Sequence, residues 1–275
     1  MREAYSGKKY ERYRTKPKPW PEVRKYLQPN SDPSCSKLQS TLLKVAADME
    51  IEKSVTEEAQ QRKKAASWYR GFQISDHATL LHLPFSSIVI SFLVFGATMA
   101  NTIYADRLIL SALGVFFALQ GAHYLDETRG HHWGTKIPDK ILYAVGFTCL
   151  TIGALVGIYL ALTVNLWILA FVPPLMFFPM AYNLELWGKR FHTTLWFGVS
   201  WGSLVYLGSY FLQNSTIDLV SILMSIAIGV NSASILILYE GTKVEKTRDM
   251  AWNVLKGLVL FWNLVALTML VLKFT

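Results

Sequence analysis

From about residue 80 onward, apolar residues run in stretches separated by short polar links. Seven stretches stand out: Leu83–Thr102, Leu108–Leu125, Ile141–Thr163, Leu166–Tyr182, Thr194–Leu212, Leu219–Tyr239 and Ala251–Leu272. Crossing the hydrocarbon core of a bilayer takes about 20 mostly apolar helical residues. The ten-residue alternation of a membrane β-barrel is missing, and in lipid a helix satisfies its own backbone groups. The pattern therefore predicts an all-α, polytopic transmembrane helical bundle of about seven spans over residues 80–275. Small residues recur at four-residue spacing, Gly153 with Gly157 and Gly198 with Gly202, which allows helices to approach closely. Pro173, Pro174 and Pro179 are expected to bend or break the fourth span.

Residues 1–79 read differently. Lys8 to Pro33 is basic and punctuated by proline, the pattern of a flexible arm drawn to anionic lipid. Leu38, Leu42, Val45 and Met49 then recur at helical spacing, and Ser34 or Ser36 could cap that helix. Charges at helical spacing follow from Glu57 to Lys64, with Trp68 and Tyr69 at the membrane edge. No apolar segment follows the early charges, so this is not read as a signal peptide. The segment is expected to be a cytosolic, partly helical N-terminal arm, and it could also dock a protein partner.

Composition sharpens this division. The chain is 52% hydrophobic and 17% charged over 275 residues, with a net charge of +8. Such a balance excludes a nucleic-acid-binding body, a disulfide-stapled module and a disordered chain. Basic residues also mark sidedness. Arg129, Lys136 and Lys140, then Lys189 and Arg190, then Lys243, Lys246 and Arg248 lie in alternate links, against Arg107 and Lys273 on the other side. The positive-inside rule puts these loops and the N-terminus in the cytoplasm and the C-terminus across the membrane. The sequon at Asn214 then faces outward, too near the membrane for modification to be expected.

Ionisable groups are expensive near a bilayer, so their positions carry information. The second span ends Gln120-Gly121-Ala122-His123-Tyr124-Leu125-Asp126-Glu127-Thr128-Arg129-Gly130-His131-His132. Helical spacing groups Gln120, His123, Asp126 and Glu127 into one polar stripe. Neighbouring carboxylates repel unless a cation or a proton lies between them. A hard divalent ion such as Mg2+ suits them. The histidines, His131 included, suit a transition metal better. After the fourth span, Lys189 and Arg190 could clamp a phosphate or act as a topogenic pair beside Trp187. After the sixth span, Glu240 is the acidic group nearest the membrane, followed by Lys243.

In their order these segments resemble the UbiA superfamily of intramembrane prenyltransferases. His82-Leu83-Pro84-Phe85 resembles that family's entry into its first helix. His123-Tyr-Leu-Asp126 followed by Thr135-Lys136-Ile137-Pro138 stands in the place of its first aspartate-rich motif and the Arg-Pro-x-Pro behind it. Lys189-Arg190 matches its Lys-Arg pair, and Glu240-Gly241 stands where its second aspartate-rich motif lies. The first motif keeps one aspartate, Asp126, with Glu127 added. Leu238 and Thr242 replace the paired aspartates of the second, and the chain has fewer spans than the family's usual nine.

The resemblance implies a prenyltransferase or terpene cyclase. Its divalent metal would be held by Asp126, Glu127 and Glu240, and would bind the diphosphate of an isoprenoid donor. Lys189, Arg190, Lys243 and Arg129 would neutralise charge. Tyr124, Phe116 and Phe117 would shield the allylic cation, Gln120 would help line the site, and a lipophilic acceptor would attack. Two alternatives remain open. One is a transition-metal enzyme with His123, Asp126, Glu127 and His131 as ligands. The other is a non-catalytic membrane subunit or lipid-binding protein.

Overall fold

The computed structural model describes residues 75–130 and 133–275, all in helices and their connections. The expectations for residues 1–74, and those for His131 and His132, lie outside the described residues. Helix α1 (Asp76–Leu81) starts at Ser75, whose hydroxyl accepts from the Ala78 N–H. It turns into α2 (Leu83–Met99) at His82, which takes a left-handed backbone with φ 43°. A left-handed residue ends a helix cleanly, and Pro84 then suits the first turn of the next.

Next come α3 (Ala105–Glu127) and α4 (Asp139–Thr163), both somewhat longer than the apolar runs that predict them. The proline-rich fourth stretch opens as a 3-10 turn, Leu166–Ala170, and continues as α5 (Val172–Asn183). Pro173 and Pro174 fall in the first turn of α5, where no intrahelical donor is needed. The break therefore sits ahead of the prolines, while Pro179 lies within the helix.

The fifth stretch is also divided. Helix α6 (Thr194–Gly198) passes through a π segment, Val199–Ser203, into α7 (Leu204–Asn214). Helices α8 (Leu219–Gly241) and α9 (Arg248–Phe274) complete the bundle.

Six helical stretches are long and apolar enough to cross a membrane: Asp76–Met99, Ala105–Glu127, Asp139–Thr163, Leu166–Asn183, Leu219–Gly241 and Arg248–Phe274. The fifth predicted stretch, which contains the π segment, is not among them. The bundle is apolar inside and out. Phe92, Trp201, Tyr206, Ile228, Leu255 and Trp262 pack in its core, while Leu155, Leu162, Leu223 and Leu264 are exposed. An outer surface of this kind fits lipid rather than water.

Glycines set the closest approaches. A Cβ on Gly121 of α3 would lie 2.7 Å from the Gly146 carbonyl of α4, and one on Gly153 would lie 2.9 Å from the Gly114 carbonyl. Gly202 meets the backbone of α8 at Ile228 and Gly229 in the same way. The glycine pairs read from the sequence do mark close contacts.

Candidate functional site

The links that bear the basic residues gather at one end of the bundle. The Lys136 N–H donates to the Asp76 carboxylate at 2.7 Å, tying the α3–α4 loop to α1. Arg129 after α3 pairs with Glu185 after α5 at 2.7 Å, and Lys189 joins the same carboxylate at 2.9 Å. The Trp133 ring lies 5.9 Å from that of Tyr239 on α8, and His82 lies 6.3 Å from Tyr239. The opposite end has its own ties. Arg107 donates to the Leu212 carbonyl at 3.1 Å, and Lys273 donates to that of Ala100 at 2.7 Å.

The stripe expected along α3 fans out, because successive residues on a helix point about 100° apart and each meets a different neighbour. Asp126 turns toward α5 and α8. It interacts electrostatically with His192 and Lys243, and its charge acts on Tyr182 and Tyr239. The Trp133 indole N–H also acts on Asp126, short of hydrogen-bonding geometry. Glu240 acts on the same two tyrosines and pairs with Lys243 at 2.6 Å. Asp126 at the end of α3 and Glu240 at the end of α8 thus act on the same two tyrosines.

Glu127 is placed otherwise than expected. Its side chain is 0% exposed. One carboxylate oxygen accepts from the Trp133 N–H at 2.8 Å, and the other accepts from the Thr135 N–H at 2.9 Å and the Thr135 hydroxyl at 2.7 Å. These bonds make Glu127 the anchor of the α3–α4 loop, where the sequence suggests a catalytic group and metal ligand.

Tyr124, expected to line a substrate site, instead ties α3 to α1 through a 2.7 Å hydrogen bond between its hydroxyl and His77 Nδ1. Phe116 lines a groove between α2 and α9, away from Asp126. His123 packs among rings, 5.2 Å from His82 and 5.9 Å from Phe85. Gln120 donates to the Leu81 carbonyl and to Ser86 one turn deeper.

Burial pushes Glu185 up, but hydrogen bonds and charge from Lys189 and Arg129 outweigh it and hold the carboxyl below its ordinary range. The turn it anchors is strained: Glu185, Trp187 and Lys189 all have positive φ, at 51°, 51° and 70°. Left-handed non-glycine residues cost roughly 1 kcal/mol or more each. The ion pair holds Lys189 in place despite that cost. Arg190 is exposed on the same turn.

His192, Tyr182, Tyr239, Glu185 and Trp133 belong to the site although the sequence reading passes over them as site residues. They lie in other links or on other helices, and their only shared signal is a position within a few residues of a basic loop.

Among the described residues, no three of His, Cys, Asp and Glu come together as metal ligands. Of the four residues in the transition-metal alternative, His123, Asp126 and Glu127 face different neighbours, and His131 lies outside the described residues. A hard divalent ion needs only one or two carboxylates beside phosphate and water, and Asp126 and Glu240 are acidic groups whose charges act on the same two tyrosines.

Compared with models of known protein families, with curated proteins and with solved structures, the chain matches none. What fold and sequence define is a class: a protein whose described residues are helical, with six helices among them long and apolar enough to span a membrane.

Proposed function

We propose that the chain is a UbiA-like integral membrane protein that transfers or cyclises an isoprenoid diphosphate at the end bearing the basic loops. The observation that supports this reading is that Asp126 of α3 and Glu240 of α8 act electrostatically on the same two tyrosines, Tyr182 of α5 and Tyr239 of α8. In this reading all seven apolar stretches cross the membrane, with the basic loops and N-terminus in the cytoplasm and the C-terminus opposite.

Lys243 and His192 lie on the approach to Asp126 and offset the charge of a diphosphate head, and Arg190 adds a guanidinium suited to phosphate. Asp126 and Glu240 would hold a magnesium ion, which would supply positive charge against the departing diphosphate. The faces of Tyr182 and Tyr239 stabilise an allylic cation through their π-systems, and the closed bundle beneath keeps water away from it. The isoprenoid chain and a lipophilic acceptor enter from the lipid phase.

The test is turnover of a radiolabelled prenyl diphosphate by the purified full chain with Mg2+, against EDTA and Asp126→Asn. Metal-dependent loss of diphosphate that disappears in Asp126→Asn is expected. No turnover with any donor chain length overturns the proposal.

A second reading, a non-catalytic lipid-binding subunit, draws support from Glu127, whose carboxylate is engaged by the loop. It predicts phosphate-lipid binding that survives both EDTA and Asp126→Asn.

A further inference from the structure

Helix α9 carries a polar line that the site at Asp126 does not use. Asp249, Lys256 and Asn263 follow one another at seven residues, close to two helical turns, so they share one face, with Asn253 between the first two. Asp249, Asn253 and Lys256 are exposed. Among the described residues, no hydrogen bond or ion pair engages the side chain of Asp249 or Lys256. Lys256 lies about 12 Å along the axis from the start of α9, within a helix long and apolar enough to cross a membrane. An ammonium at that depth is costly unless its stem carries it back toward the headgroups and a counter-charge meets it there. Farther along, the same face borders a groove of about 430 Å³ between α2 and α9. Ile90 and Val94 of α2, Leu267 and Leu270 of α9, and Phe116 of α3 line it. Its two walls are tied together, since Asn263 Nδ2 donates to Ser87 Oγ at 3.0 Å and Lys273 donates to the Ala100 carbonyl at 2.7 Å. The groove is thus formed before any ligand arrives, and its rims at Leu83 and Leu267 are 50% and 58% exposed.

We propose that this face of α9 and the α2–α9 groove hold one phospholipid whose headgroup is a phosphoethanolamine. The order of charges selects the ligand. In such a headgroup the phosphate is nearer the hydrocarbon chains and the primary ammonium is farther out. With a chain in the groove, the phosphate meets Lys256 and the Asn253 amide, and the ammonium meets Asp249 nearer the helix end. An anionic phospholipid without an amine sets its phosphate toward Asp249 with no cation between them. A quaternary ammonium has no N–H to give a carboxylate. A second copy of the chain, packed on this face about a two-fold axis, sets Lys256 against its own equivalent. The site is separate from Asp126 and depends on neither reading of that end of the bundle.

The test is native mass spectrometry of the full-length protein after incubation in detergent with an equimolar mixture of dioleoyl phosphatidylethanolamine, phosphatidylcholine and phosphatidylglycerol. One ethanolamine lipid per chain is expected, retained about fivefold over each of the other two, the worth of one solvent-facing ion pair. In Asp249→Asn the ethanolamine and choline lipids should be retained within about twofold of each other. In Lys256→Met retention of all three should fall about fivefold. Excess glycerophosphoethanolamine, the headgroup without its chains, should not displace the lipid. Equal retention of the three lipids by the wild type, an ethanolamine preference that survives in Asp249→Asn, or unchanged retention in Lys256→Met overturns the site, as does a lipid-free dimer. Lipid held instead at the basic-loop end would respond to neither substitution, so failure here leaves both readings of the Asp126 site untouched.

Discussion

Replacing Glu127 with Gln separates a structural carboxylate from a catalytic one. In the wild type its two oxygens hold three donors of the loop that leads into α4, at 2.7–2.9 Å. An amide keeps one carbonyl oxygen, enough for the two Thr135 donors, but sets its NH2 against the Trp133 N–H. One hydrogen bond to a charged acceptor is lost, worth about 1.5–3 kcal/mol, and a buried donor is stranded. A local cost of about 3 kcal/mol follows. Since 1.4 kcal/mol is a factor of ten, the amides of residues 133–138 should exchange hydrogen about a hundredfold faster than in the wild type. Glu127→Ala strands both N–H groups and should cost more. Asp126→Asn, one residue away, should leave exchange in the loop unchanged while removing whatever activity the site supports. Hydrogen exchange read by mass spectrometry on all three variants decides the matter. If Glu127→Gln leaves loop protection intact, the carboxylate is not the anchor described, and its role must be sought at the site.

Other consequences can be checked separately. Glu185 is held below the ordinary carboxyl range, so its tie to Arg129 and Lys189 contributes above the unfolded carboxyl range and is lost as pH falls through the lowered value. The melting gap between wild type and Glu185→Gln should therefore be small, about 0.5 kcal/mol for solvent-facing pairs. It should hold at neutral pH and close only at strongly acid pH; a gap that widens on acidification refutes the sign. Gly121→Ala puts a methyl 2.7 Å from the Gly146 carbonyl and should cost about 1–3 kcal/mol by overpacking, whereas Gly257→Ala, inside α9 with nothing within 4 Å, should raise stability by about 0.5–1 kcal/mol in a thermal melt. Asp218 caps α8 through a reciprocal pair of bonds with Ser221, so Asp218→Ala should lower stability by about 1 kcal/mol. With the native cysteines replaced, single cysteines at Lys246 and Thr216 should label from opposite faces of a sealed vesicle; labelling from the same face refutes the proposed topology.

The helices were legible because lipid leaves few alternatives: a run of about 20 apolar residues with its backbone self-satisfied is a helix. The π segment at Val199–Ser203 was not legible. It follows from how α6 and α7 sit against α8 through Gly198 and Gly202, and hydropathy does not register a backbone contact. The polar site was half visible. Cost alone pointed to Asp126 and His123. It could not say which way each would face, because helical spacing sets both Asp126 and Glu127 one turn from His123, while the returning loop takes one and leaves the other. Glu185 gave no signal of its own. Only the fold shows that it draws Arg129 and Lys189, from two different links, onto one carboxylate.

That division of labour bears on how the end of the bundle works. Three of the carboxylates there, Asp126, Glu127 and Glu185, have different tasks set by their surroundings. Glu127 is engaged by three donors of the loop and fixes it, Glu185 is engaged by two cations of the strained turn and its neighbour, and Asp126 interacts electrostatically with His192 and Lys243. A group whose hydrogen-bonding capacity is filled by its own fold has little left to offer a ligand. Of the three, Asp126 is the one whose charge acts on both Tyr182 of α5 and Tyr239 of α8.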